Sequence, residues 1–261
     1  MSEKKDPFFS ALDICGYNYA RDNYVSDHER KPNRIMMATE SYALTQFDYW
    51  MSVLDHPWVI GDFIWTGWDY IGEASIGWRG YPQEKNFYPW NLAYCGDIDI
   101  CGWKRPQSYY RDALWKPNQL SMFVTPPKPS FALNGLTAPW SKWNWHDVVA
   151  DWNWKGYEDS LFEVNVYSSC EEVELFLNNK SLGKKPTNRS TKCMAVWNVP
   201  YAVGTLKAVG YNGSKKIRFS VLQTANNTVQ IKLSADRMKI NANGEDLSYI
   251  TVELTDTKGI K

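Results

Sequence analysis

Residues 35–73 read IMMATESYALTQFDYWMSVLDHPWVIGDFIWTGWDYIGE. A short apolar run, Ile35 to Ala38, ends on the polar triplet Thr39, Glu40, Ser41, and apolar residues then recur at helical spacing: Tyr42, Leu44, Phe47, Trp50, Met51 and Leu54. This pattern predicts a buried strand carrying a carboxylate at its C-terminal end, followed by a covering helix. A second apolar run, Trp58 to Trp65, closes on Thr66, Gly67, Trp68 and Asp69. Strand, helix, strand is a βαβ unit. In a (β/α)₈ barrel the functional side chains stand where strands end at the C-terminal face, which makes Glu40, Trp65 and Asp69 the first candidates for chemistry.

Upstream, SALDICGYNY (residues 10–19) reads as another strand, ending in Asn18 and Tyr19. The polar stretch ARDNYVSDHERKPNR that follows reads as a loop or short helix. From Gly72 to Trp103 the chain is rich in Gly, Pro and aromatic residues, which is surface-connection chemistry at the same face. Trp78, Arg79, Tyr88, Trp90, Asp97 and Asp99 are candidates to line a site there. Ser108 to Trp115 has helical spacing and is stopped by Pro117.

VTPPKP (residues 124–129) is linker chemistry, and beyond it the pattern changes to short alternating strands. The clearest are Leu161 to Tyr167, Val173 to Leu177, Ala195 to Val199, Gly204 to Gly210 and Lys216 to Leu222, with hairpin turns in NNKSLG (178–183) and YNGSKK (211–216). The expected organisation is α/β plus all-β. Residues 1–123 form the C-terminal portion of a barrel, 124–224 an immunoglobulin-like antiparallel β-sandwich, and 225–261 the start of a further sandwich. Three barrel strands against the eight a barrel needs predict that the sequence is part of a longer enzyme.

Twenty-nine acidic residues balance twenty-nine basic ones, which argues against nucleic acid or an anionic membrane surface as the main partner. No apolar run approaches a membrane span, so no membrane insertion is expected, and MSEKKDPFF has no signal core. The five cysteines show no C-x-x-C spacing, so free thiols are expected rather than a zinc site, with a Cys170 to Cys193 bridge as the alternative. Fourteen Trp and sixteen Tyr are compatible with stacking on sugars and equally with large cores. The run Trp140, Trp143, Trp145, Trp152, Trp154 has the same two readings, with packing favoured.

The order of GYNYAR (Gly16 to Arg21), ATESYA (Ala38 to Ala43) and GDFIWTGWDYIGE (Gly61 to Glu73), continuing into GDIDICGWKRPQSYYRDALW, resembles the last three barrel strands of family 2 glycoside hydrolases. FEVNVYSSCEEVELFLNNKSLG resembles the sandwich that follows the barrel in bacterial β-galactosidases of that family. The resemblance implies a retaining glycoside hydrolase acting on β-galactosides, with an oligo- or polysaccharide substrate and a homo-oligomeric full-length form. It implies Glu40 as nucleophile, Tyr19 as the hydrogen-bonding residue that orients it, and Trp65 as the floor of the sugar site. Asp69, Glu73 and Asn18 are implied substrate-binding residues. A loop amide or Arg79 is the competing partner for Asp69 and Glu73.

The acid/base glutamate of that family belongs to an Asn-Glu pair, and no Asn-Glu dipeptide occurs here. The expectation is therefore a nucleophile without its acid/base partner in this sequence. No cofactor is expected, and the family's cation ligands do not map onto this chain. An Asn-x-Lys motif is not apparent after Trp65, so galactoside is favoured over β-glucuronide or β-mannoside as glycone. A periplasmic or secreted location is favoured over a cytoplasmic one. The reading from a different class is a non-catalytic carbohydrate-binding or adhesion module, which needs exposed aromatics but no second carboxylate.

Overall fold

The computed structural model describes residues 3–72, 76–77, 91–130, 141–227 and 230–261. A short helix, α1 (Asp6–Phe9), leads into β1 (Ile14–Asn18), α2 (Tyr24–Arg30), β2 (Ile35–Ser41), α3 (Gln46–Asp55) and β3 (Val59–Ile64). The three strands form one parallel sheet in the order β1-β2-β3. Cys15 and Tyr17 of β1, Met36 of β2 and Val59 of β3 pack against Phe9 and Tyr24 in one buried cluster. Ile14, Ile60 and Phe63 stay exposed. The polar stretch after Tyr19 thus holds a helix, α2, whose Tyr24 supplies the apolar contact that its charged neighbours hide from the sequence pattern.

After β3 the loop doubles back through paired residues at Trp68 with Ile98 and Ile71 with Leu92. Helix α4 (Pro106–Trp115) follows, started by a proline whose fixed φ suits the first helical turn.

The sandwich comprises β4 (Leu120–Val124), β5 (Leu161–Ser168), β6 (Glu172–Leu177), β7 (Lys180–Pro186), β8 (Met194–Pro200), β9 (Thr205–Asn212) and β10 (Lys215–Gln223). One sheet has the order β4-β5-β8 and the other β10-β9-β6-β7, an immunoglobulin-like arrangement. Between them lie Leu120, Met122, Val124, Trp152, Val164, Val166, Leu175, Val199 and Leu206, all buried. Burying each such Val or Leu is worth roughly 1.5–3 kcal/mol.

Two features differ from the sequence pattern. VTPPKP lies after the first sandwich strand rather than before the domain, because β4 pairs antiparallel with β5 from Leu120 to Val124. In NNKSLG only Asn178 and Asn179 turn, with φ of 50° and 65°, and Lys180 already begins β7. The Cys170 to Cys193 bridge is not formed; both are free thiols.

A last antiparallel pair, β11 (Gln230–Ala235) with β12 (Ile250–Thr255), sets Ile231 opposite Leu254 and Leu233 opposite Val252, all four exposed.

The two larger units share a second core. Ala43 and Phe47 from the β2–α3 corner and Tyr110 and Ala113 from α4 pack with Phe123, Trp145, Val148 and Tyr167 of the sandwich side. Tyr110 donates to the Lys192 carbonyl at 2.7 Å, and Trp145 Nε1 donates to the Tyr167 hydroxyl at 2.8 Å. No helix among the described residues is long and apolar enough to cross a membrane.

Candidate active site

Glu40 stands at the C-terminal end of β2, where the pairing with β1 is irregular. Tyr17 pairs with Ala38, but Asn18 pairs with Glu40, so Thr39 is passed over. An extra residue on one strand reverses the alternation of the pleat and re-aims the side chains beyond it. The slip sets Asn18 and Glu40 side by side.

Gly16 sits at this crowded point: a Cβ there would meet Thr39 Cγ2 at 2.4 Å. Beyond the slip, the Tyr19 amide donates to the Glu40 carbonyl at 3.0 Å. Tyr19 itself adopts φ of 48°, the left-handed region that a residue with a side chain seldom occupies. Its hydroxyl neighbours the Glu40 carboxylate, and burial pushes the phenol pKa well above its ordinary value. The carboxylate raises it further, whereas the indole N–H of Trp143, donating at 2.7 Å, lowers it.

Trp65 closes the other side. Its amide donates to the Ser41 carbonyl at 3.0 Å, tying the end of β3 to the residue after Glu40. The Trp65–Thr66 peptide is cis. The ring is partly buried, packs with Tyr70 and Trp143 against Ile76, Ala93 and Cys95, and donates from Nε1 to the Tyr70 hydroxyl at 3.2 Å.

Asp69 is buried, and its Oδ1 accepts the amides of Tyr70, Tyr94 and Cys95 at 3.1, 2.9 and 3.4 Å. Its Oδ2 lies 3.9 Å from Arg105 Nη1. The loop-amide partner weighed in the sequence is the one observed, so Asp69 organises the loop after β3. Glu73, Trp78, Arg79, Tyr88, Trp90 and Trp140 lie outside the described residues. Asp99 Oδ1 accepts the Cys101 and Trp103 amides at 2.9 Å each and shapes a turn.

Asp97 accepts from Arg111 Nε at 2.7 Å, and Asp62 lies 3.9 Å from Arg111 Nη1. Burial raises both carboxyl pKa values, and Arg111 pulls them back. Ser41, the residue after Glu40, is fully buried beside this group. It is a charged cluster behind the site.

The tryptophan run divides. Trp145 fills the shared core, Trp152 the sandwich core, and Trp154 stacks on Phe162 at 5.4 Å. Trp143 instead joins the site, edge-on to Tyr19 and Tyr42. Sequence reasoning missed it because no periodicity links it to Tyr19. No cluster of three or more His, Cys, Asp or Glu suited to a metal ion occurs among the described residues.

Similarity to known proteins follows the same outline. The sequence profile of a domain of unknown function (DUF4982) matches residues 159–218, from the start of β5 into β10. A solved glycosyl hydrolase family 2 member from Bacteroides cellulosilyticus is 53% identical with a TM-score of 0.94, covering 100% of this chain and 34% of that one. A putative β-glucuronidase of Formosa agariphila is 29% identical over 260 residues, 99% of this chain and 21% of that protein. A β-galactosidase of Bacteroides ovatus is 29% identical over 209 residues, 79% of this chain and 20% of that protein. The chain thus spans about a third of the solved relative and about a fifth of the curated ones.

Proposed function

We propose that this chain, which is related over its whole length to family 2 glycoside hydrolases, carries the nucleophile side of a retaining β-glycosidase site. The observation that carries the reading is Glu40 at a strand end, with the Tyr19 phenol as neighbour of its carboxylate and the Trp65 amide bonded to the next residue, Ser41. In a retaining reaction a Glu40 carboxylate oxygen forms a bond to the anomeric carbon as the glycosidic C–O bond breaks, and the leaving oxygen takes a proton from a general acid. Water then attacks the glycosyl-enzyme at the same carbon, gives up its proton to the conjugate base of that general acid, and frees Glu40. Tyr19 holds one carboxylate oxygen and leaves the other for attack. Trp65 offers an apolar face to the ring, and Asn18, exposed beside Glu40, offers an amide to a hydroxyl. No residue of this sequence is assigned the acid/base role.

The glycone is a β-galactoside or a β-glucuronide. The relatives named for each activity support both equally.

The test is hydrolysis of aryl β-galactoside and aryl β-glucuronide by the protein that carries this chain, with product configuration followed by NMR. Retention is expected, and Glu40→Gln should reduce turnover by several orders of magnitude because the amide cannot form the covalent intermediate. Near-normal turnover in Glu40→Gln, or inversion, would sink the reading.

A further inference from the structure

A phenol has one proton to give and lone pairs to receive, so its hydrogen bonds have a direction set by its partners. At Tyr19 both partners are of fixed type. Trp143 Nε1–H can only donate, and it points at the Tyr19 oxygen from 2.7 Å. A carboxylate such as Glu40 can only accept, and it is the charged neighbour of the same hydroxyl. With the indole on its accepting side, the phenol has its proton free for that neighbour, so a series through it can run only one way, indole to phenol to carboxylate.

The rings around it leave little freedom. Tyr19 stacks on Tyr42 with centroids 4.3 Å apart, and Trp143 meets Tyr19 and Tyr42 edge-on at 5.9 and 5.0 Å. Trp143 is in turn fixed by the two residues before it. The Ser141 amide donates to the Gly77 carbonyl at 3.1 Å, and Ser141 Oγ donates to the Ile76 carbonyl at 2.7 Å while accepting the Trp143 amide at 3.3 Å. The Lys142 carbonyl accepts from the Leu44 amide at 3.4 Å. Three consecutive residues on the way to β5 are thus pinned to the loop after β3 and to the corner after β2.

We infer that Trp143 is a positioning residue for the nucleophile: its indole N–H occupies the accepting side of Tyr19 and so commits the single phenolic proton to Glu40. This deepens the glycosidase reading and rests on it. Occupying the lone pair also polarises the phenol and strengthens its donation, because hydrogen bonds in series reinforce one another. Without the indole N–H, the Tyr19 hydroxyl can turn to other acceptors, and the attacking carboxylate loses part of its orientation. The segment leading to the sandwich thereby becomes part of the catalytic site.

The experiment is a double-mutant cycle on the protein that carries this chain, using Trp143→Phe and Tyr19→Phe, with Glu40→Gln as control. Trp143→Phe keeps an aromatic ring but removes the donor. It should lower kcat/KM about fivefold, the worth of one hydrogen bond of about 1 kcal/mol, and leave the inhibition constant of the product sugar within about twofold. In the Tyr19→Phe background the same change should cost less than about twofold, because its target is gone.

An equal loss in both backgrounds, or no loss in either, overturns the positioning role while an inactive Glu40→Gln leaves the glycosidase reading standing. An active Glu40→Gln fails that reading itself. Should Trp143→Phe not fold, as judged by its melting curve, Ser141→Ala loosens the turn that holds the indole. It should show the same coupling to Tyr19 at smaller size, and its absence would overturn the inference.

Discussion

Gly96 lies against the backbone of Asp69, with its hypothetical Cβ only 2.2 Å from the Asp69 nitrogen and 2.6 Å from the Asp69 Cα. The Ile98 carbonyl oxygen would also be 2.6 Å away. None of these atoms can move aside without shifting the loop. Because Asp69 binds the amides of Tyr94 and Cys95, a residue before Gly96 and one more, the whole turn is a single closely packed unit. Gly96→Ala should therefore destabilise the folded chain by more than about 2 kcal/mol. Urea melts of the two forms would measure this, and a change below about 0.5 kcal/mol would contradict the tight approach.

The Asp62–Arg111–Asp97 cluster predicts a pH dependence of definite sign. Burial first raises both carboxyl pKa values from 3.8, so the folded chain holds those protons more tightly than the unfolded one. Their contribution to stability is therefore fullest at low pH and declines as pH rises through 3.8 toward the folded values. Asp62→Asn should flatten that decline and leave the chain as stable or about 1 kcal/mol more so near pH 7, since the Asp62 pairing to Arg111 is long, 3.9 Å against 2.7 Å for Asp97. Arg111→Met should cost about 3–5 kcal/mol there, because it strands two buried carboxylates. Thermal melts of the three forms across pH decide the matter: a steeper decline in Asp62→Asn would refute it.

Trp65 holds its place through its amide and its indole N–H, so replacing the ring changes the sugar face more than the strand end. Trp65→Ala in the protein that carries this chain should weaken binding of a neutral sugar inhibitor by about 1–3 kcal/mol. Isothermal titration would register it. Unchanged affinity would remove Trp65 from the glycone site.

Strand β4 gives a prediction by truncation. A segment beginning at Asn118 retains Leu120, Met122 and Val124 in the sandwich core, whereas one beginning at Thr125 loses all three. The longer segment should melt cooperatively with a β-rich circular dichroism spectrum. The shorter one should lose cooperativity, or melt at least about 10 °C lower.

How far the sequence reached follows from what each residue's signal depends on. Four of the sandwich strands were legible from alternation because one face of each is buried; the fifth, β10, alternates through Phe219 and Val221, which stay exposed. β7 was not, since KSLGKKP lies mostly exposed and has no apolar face to alternate. β4 was hidden because its partner, β5, begins 37 residues after it ends, across a proline-rich run. At the site, Glu40 and Trp65 were legible as polar or aromatic residues ending apolar runs. The slip at Thr39 that turns Glu40 toward Asn18 leaves no compositional trace, and neither does the 124-residue separation across which Trp143 reaches Tyr19. Asp69 had two partners open to it in sequence, and only the fold of residues 94–96 around it selects the amides.

The core shared by α3, α4 and the sandwich has a mechanical consequence. Tyr110, Trp145, Tyr167 and Phe123 pack ring on ring with centroids 5.0 to 5.9 Å apart, and α3 is tied to the turn between β7 and β8 through Asp55 with Arg189 and Asp48 with Lys192. Joints between domains that swing are small and polar; this one is apolar and interlocked. Load applied to the sandwich passes directly into the helices that back the parallel sheet. The sandwich is a buttress for the sheet that carries Glu40.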